Sequence, residues 1–155
     1  MGTRPQTLYG LADSPVDLAA WLIDHGDGYA PPAAAITSAV LGRTVDGHPA
    51  GDLTRDDVLD DITLYWLTNT GVSSSRLYWE NHYGLYNALD ISIPSAVSVF
   101  PGENYEAPRS WAKRAYYNLI YYNKVDKGGH YAAWEQPQLF SAEVRAGLRP
   151  LRKSI

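Results

Sequence analysis

Apolar positions along the 155-residue chain fall into two textures. Between residues 13 and 82 they recur at helical spacing. Asp13-Ser14-Pro15 offers a capping side chain followed by a proline whose fixed φ suits the first helical position. Val16, Leu18, Ala19, Ala20, Leu22 and Ile23 then predict about three turns of helix ending near His25-Gly26. A Gly- and Pro-rich stretch, 26–52, reads as a long mobile excursion in which only the Ala-rich run from Ala33 to Leu41 has helical character. Thr54 opens a second helix: its hydroxyl can cap, and Asp56 and Asp57 sit in the first turn, where the helix dipole favours negative charge. Val58, Leu59, Ile62, Tyr65 and Trp66 predict one buried face. Thr68-Asn69-Thr70-Gly71 ends this helix, and Ser73-Ser74-Ser75 precedes a third that carries Arg76, Leu77, Tyr78, Trp79 and His82.

From residue 91 the period shortens. The run from Ile91 to Phe100 alternates apolar and small residues as a strand does, with Pro94 weighing against its first half. A helix from Ala107-Pro108-Arg109 to about Tyr116 follows. Asn118 to Val125 is short, apolar and β-favouring, hence a second strand, and a last helix runs from about Glu135-Gln136-Pro137 to Leu148. Strand, helix, strand, helix in so few residues predicts an α/β unit with parallel strands. There is no internal repeat and no low-complexity tract.

Composition narrows the function classes. A chain of this length buries roughly 68–70% of its unfolded surface, and 45% hydrophobic with 19% charged residues is a globular balance, which argues against disorder. The net charge of −4, with no Lys/Arg run, argues against nucleic acid or an anionic membrane as a partner. Zero cysteines exclude disulfides, thiolate metal sites and cysteine nucleophiles. The N-terminus lacks the apolar run of a signal peptide and no stretch has a membrane span's length, so the chain is expected to be soluble and cytoplasmic. Twelve Tyr and five Trp against two Phe point to faces or a cleft where hydroxyl and indole groups meet partners, although most will be half-buried packing residues.

In open α/β sheets the working residues gather beyond the carboxyl ends of the strands. Glu103 follows the strand ending at Phe100, and His130 follows the strand ending at Val125 through a Gly-Gly pair that permits a sharp turn. Neighbouring strands would bring the two side by side. A carboxylate on one ring nitrogen leaves the other as a general base, the second and third parts of a nucleophile–His–acid triad. The competing reading makes Glu103 a cap of the next helix and His130 an exposed loop residue. His25 ends a helix, where a cation complements the dipole, and His48 and His82 have no carboxylate at a telling spacing. Asp56, Asp57, Asp60 and Asp61 read as a solvated first-turn face, with no His at helical spacing to anchor a metal.

Several motifs in fixed order add a resemblance. They are Thr3-Arg4-Pro5-Gln6-Thr7, the run from Gly10 to Trp21, Leu53-Thr54 through Asp61 to Thr70, Ser75-Arg76-Leu77-Tyr78-Trp79-Glu80, Phe100-Pro101-Gly102-Glu103, Pro108-Arg109-Ser110-Trp111 and the run from Gly128 to Pro137. Over residues 3–150 the chain resembles the C-terminal half of α/β-hydrolase-fold epoxide hydrolases of the microsomal type, and especially their bacterial relatives. The resemblance implies a partial α/β-hydrolase fold: a helical cap or lid, 1–90, then the last two parallel strands and C-terminal helices of the core, 91–155. It implies hydrolysis of an epoxide to a vicinal diol. In that family an Asp nucleophile opens the ring, two cap tyrosines polarise its oxygen, and a His paired with an acid activates the water that cleaves the ester. By motif, Tyr78 falls on one polarising tyrosine, Glu103 on the acid and His130 on the general base. Spacing alone leaves Tyr78 open to simple packing beside Leu77 and Trp79. A phenol with pKa near 10 can donate to a developing alkoxide at neutral pH without ionising.

The departures carry expectations of their own. There is no Gly-x-Asp-x-Gly or Gly-x-Ser-x-Gly elbow, no His-Gly-x-Pro oxyanion loop, and no second tyrosine ahead of Thr3; Tyr9 stands too late in its motif. The isolated chain is therefore expected to be inactive and to need a small-molecule epoxide, water and an N-terminal half to complete it. An exposed sheet edge would favour that pairing, or a homo-oligomer. No cofactor and no metal are implied, because the nucleophile is protein and the second reactant is water. Two alternatives stay open: a catalytically inactive remnant or interaction fragment, and another α/β hydrolase such as a dehalogenase or esterase. The setting of Tyr78 weighs against the latter, since those reactions have no epoxide oxygen to polarise.

Overall fold

A computed structural model of the chain describes residues 8–23, 34–42, 52–80, 90–103 and 105–152, the side chains of Ala34, Tyr78 and Trp79 excepted. The helix end near His25-Gly26, most of the 26–52 excursion, His48, His82 and the Thr3–Thr7 motif lie outside the described residues. The chain divides into two compact units, 1–85 and 86–155.

The first unit is helical: α1 (Gly10–Asp13), α2 (Pro15–Ile23), α3 (Ala34–Leu41), α4 (Arg55–Thr68) and α5 (Gly71–Glu80). The single turn α1 has too few residues to show a period in the sequence. Ser14 then serves as the expected cap, its Oγ accepting from the Asp17 amide at 3.3 Å. A full capping box opens α4: the Asp57 amide donates to Thr54 Oγ1, and the Thr54 amide donates back to Asp57 Oδ2 at 2.8 Å. These bonds, the Thr54 hydroxyl's foremost, hold the Asp57 carboxyl below the usual range. Asn69 ends α4 in the left-handed region, φ 53°, which Asn tolerates better than most residues.

The buried stripe of α4 is narrower than its sequence suggests. Val58 and Ile62 are buried, whereas Leu59 is exposed. They join Leu11, Leu18, Ala35, Ile36 and Leu53 in a small core where α2 and α3 pack on α4. The third helix begins at Gly71, earlier than the serine run predicts. Ser73, Ser74 and Ser75 lie inside it, each hydroxyl bonding back to a carbonyl three residues earlier. Gly71 itself permits a close approach, since a Cβ there would stand 3.0 Å from Leu18 Cδ1 and 3.3 Å from the Leu11 carbonyl oxygen.

The second unit holds β1 (Ser95–Val99), α6 (Arg109–Ala115), β2 (Leu119–Lys124), α7 (Ala132–Glu135) and α8 (Pro137–Leu148). The two strands pair in parallel as expected, Val97 opposite Tyr122 and Val99 opposite Lys124. The first half of the expected 91–100 strand is not part of β1. Ile91 makes only an isolated bridge to Tyr116, and the ladder starts after Pro94, whose nitrogen has no proton to donate. Helix α7 is a single turn that the sequence reading did not predict, ending at Glu135, where the last helix was expected to begin.

Helix α8 docks on both strands through one carboxylate. Glu143 accepts from Ser98 Oγ at 2.7 Å, from Asn123 Nδ2 at 3.0 Å and from Tyr121 OH at 3.1 Å. Gly147 lets the same helix approach β1, because a Cβ there would lie 2.8 Å from Ala96 Cβ. Among the described residues no helix is long and apolar enough to cross a membrane.

Candidate active site

The strand pair does not stop where the regular ladder ends. The Val125 amide donates to the Val99 carbonyl at 3.1 Å, and the Gly102 amide donates to the Gly128 carbonyl at 2.9 Å, closing a further parallel bridge between Gly102 and Gly129. This crossing needs glycine. A Cβ on Gly102 would stand 2.8 Å from the Gly129 Cα, and Gly128 adopts φ +94° with Phe100 packed over it. The Gly-Gly pair therefore supplies close backbone approach as much as a sharp turn.

The residue after each bridging glycine is a candidate. Glu103 and His130 emerge together, with His130 Nδ1 at 2.9 Å from Glu103 Oε1 and 3.0 Å from Oε2. Glu103 does not cap the next helix: α6 has Pro108 at its N-cap position. With the ring proton on Nδ1 donating to the carboxylate, Nε2 is left with its lone pair as a base. The pair is partly exposed, 41% for the imidazole and 34% for the carboxylate, so water has access. Tyr131 meets the imidazole edge-to-face at 5.0 Å and Trp134 meets Tyr131 in turn, which braces one side of the ring. Beside Glu103 opens a cavity of about 150 Å³ walled by Val97, Val99, Phe100, Tyr105 and Ala107.

The third candidate, Tyr78, lies on α5 in the helical unit, and its side chain is outside the described residues. Among the described residues no group of three or more His, Asp or Glu is arranged to hold a metal.

Comparison with known proteins gives these two residues a context. No family model matches the chain. A protein of Stigmatella aurantiaca provisionally named an epoxide hydrolase is 44% identical over 151 residues, 97% of this chain, and epoxide hydrolase 1 of Sus scrofa is 33% identical over 149 residues, 92% of it. The crystal structure of juvenile hormone epoxide hydrolase from the silkworm Bombyx mori superposes over 97% of this chain with a TM-score of 0.76 at 28% identity. In sequence and in fold the chain is a homologue of the C-terminal part of α/β-hydrolase-fold epoxide hydrolases. It corresponds to a C-terminal portion of this fold, spanning 31% of the length of the Stigmatella and Sus scrofa proteins and 38% of the silkworm chain. Helices followed by two parallel strands are the partial α/β fold that the sequence predicts.

Sequence reasoning passed over one residue of the site, Glu135. It is buried directly beneath the His130 loop. In the sequence it stands directly after Ala132-Ala133-Trp134, five positions beyond His130, a setting that gives no sign of its burial.

Proposed function

We propose that this chain carries the water-activating part of an epoxide hydrolase. His130 takes a proton from water through Nε2, Glu103 holds the Nδ1 proton and stabilises the imidazolium that forms, and the resulting hydroxide attacks an ester linking the opened epoxide to a carboxylate nucleophile. Hydroxide adds to the carbonyl carbon, the tetrahedral intermediate collapses with cleavage of the acyl C–O bond, the carboxylate nucleophile is regenerated, and the diol leaves with its alkyl C–O bond intact and a proton returned by His130. Tyr78 donates its phenolic proton towards the epoxide oxygen during ring opening. The nucleophile and oxyanion donors come from residues beyond these 155. The observation that carries the reading is the bidentate approach of Glu103 to His130 Nδ1 at the carboxyl ends of two paired parallel strands. Apolar or aromatic epoxides suit the Tyr- and Trp-rich helices.

A graft tests this directly. The segment of the Stigmatella relative that matches this chain is replaced by the 155 residues, and hydrolysis of styrene oxide is followed together with the enzyme's mass. Turnover is expected, with His130→Ala abolishing it while a covalent alkyl-ester accumulates, Glu103→Gln slowing ester hydrolysis, and Tyr78→Phe slowing ester formation. Undiminished turnover in the His130→Ala graft sinks the assignment.

A further inference from the structure

Glu135 keeps only 1% of its surface, the burial of a core leucine rather than of a carboxylate. It stands at the end of α7, the single turn that follows His130. Its Oε1 accepts from the Tyr131 amide at 2.9 Å, and the carboxylate also accepts from the amide of Gly129. Those are the two amides that flank His130. The backbone reaches over the carboxylate because residue 129 has no side chain: a Cβ there would lie 3.2 Å and 3.3 Å from the two carboxylate oxygens. Burial pushes the Glu135 carboxyl above the ordinary carboxylate value, the two amides and His130 pull it back, and Glu103 adds to the push. Glu135 thus stands in the field of both members of the pair.

A cap for one turn of helix needs no buried charge. An isolated carboxylate taken out of water is costly, and the cost is offset here by two backbone donors and the imidazole beyond them. We propose that Glu135 is a positioning residue for His130: it binds the amides on either side and so sets the imidazole where Nδ1 meets Glu103 and Nε2 faces the reacting water. This rests on the reading of His130 as the base. It adds to the His–Glu pair a second carboxylate, behind the loop, that touches neither water nor substrate.

The experiment uses the full 155-residue chain and reads the imidazole nitrogen shifts of His130, which report its tautomer, together with amide exchange at Gly129 and Tyr131. Glu135→Leu fills the same space without an acceptor and separates packing from hydrogen bonding. It is expected to keep the far-UV dichroism, to lose the Nδ1–H signature, and to exchange both amides roughly tenfold faster or more, the factor that one ordinary hydrogen bond represents. Glu135→Gln keeps one accepting oxygen and turns an NH2 against the other donor, so it should fall between. Retention of the wild-type imidazole signature in both variants overturns the proposal. Should the Leu variant not fold, the Gln variant decides alone: a changed tautomer balance supports positioning, an unchanged one overturns it. In the graft, Glu135→Gln is expected to slow ester hydrolysis and leave ester formation unaltered. If His130→Ala leaves the graft active, the base assignment has failed, while the tautomer result still decides whether Glu135 positions the ring.

Discussion

The two units are held by polar contacts of different reach. In the helical unit the side-chain bonds described above close over three residues: Thr54 with Asp57, and Ser73, Ser74 and Ser75 with the preceding turn. In the sheet unit the bonds of Glu143 with Ser98, Tyr121 and Asn123, and of His130 with Glu103, join residues 20 to 45 positions apart. Local bonds specify a helix wherever it lies. The Glu143 bonds exist only when β1, β2 and α8 are all assembled, and the His–Glu pair only when the two strands are, so the pair is a readout of strand pairing.

The largest blow to this contrast should come from Gly102→Ala. The added methyl meets backbone at 2.8 Å and 3.1 Å, atoms that cannot rotate away as a side chain would. A cost of about 3 kcal/mol is expected, at the upper end for overpacking. Amide exchange should accelerate across 95–99 and 119–124 while 55–68 keeps its protection, and the Nδ1–H signal of His130 should vanish. Equal acceleration in α4 would show that the units do not differ in this way.

The same contrast explains what could be read from the sequence. Thr54, the apolar spacing after it and the Asn69 stop all act within a few residues, so α4 was visible with its cap. The parallel strands and the positions of Glu103 and His130 followed from the order of elements and from the rule that sites lie beyond strand ends. The start of α5 was misplaced because Gly71 is selected by Leu18 and Leu11, far upstream. Glu135 was missed for a similar reason, since its partners are backbone amides, which carry no residue-type signal, and its burial is a tertiary property.

Glu143→Ala should rank next. Three donors from two strands lose a shared charged acceptor in a partly buried setting, for which about 2 kcal/mol is expected. Urea unfolding should show the loss. The phenol of Tyr121, raised by burial and then by Glu143, should titrate at lower pH in the variant, which an ultraviolet titration reads.

The units should also respond to acid in opposite directions. Glu135 has a raised carboxyl, so its contribution to stability is full below the ordinary value of 4.5 and is lost as pH rises through the raised one. Stability curves of Glu135→Gln should lack that decline. Asp57 is lowered, so its contribution is present above 3.8 and disappears as pH falls through the lowered value. Thr54→Ala should remove that acid-side loss, and by deleting the cap should cost about 1 kcal/mol at neutral pH. Matching pH slopes for the two variants would break the comparison.

The smallest effect is expected at the shortest ion pair among the described residues. Arg76 and Glu80 lie one turn apart on α5, with the guanidinium Nη2 at 2.7 Å and Nε at 3.1 Å from a single carboxylate oxygen. Both side chains are well exposed, so solvent screening and the entropy of holding two long chains cancel most of the attraction. Arg76→Ala should change stability by less than about 0.5 kcal/mol, a shift that 0.5 M salt should reproduce in the wild type. The pair brackets Tyr78 in sequence, and in the graft the variant should leave styrene oxide turnover as it was. A large loss of ester formation there would mean that α5 is more than a locally specified helix, and that Arg76 helps to aim the tyrosine.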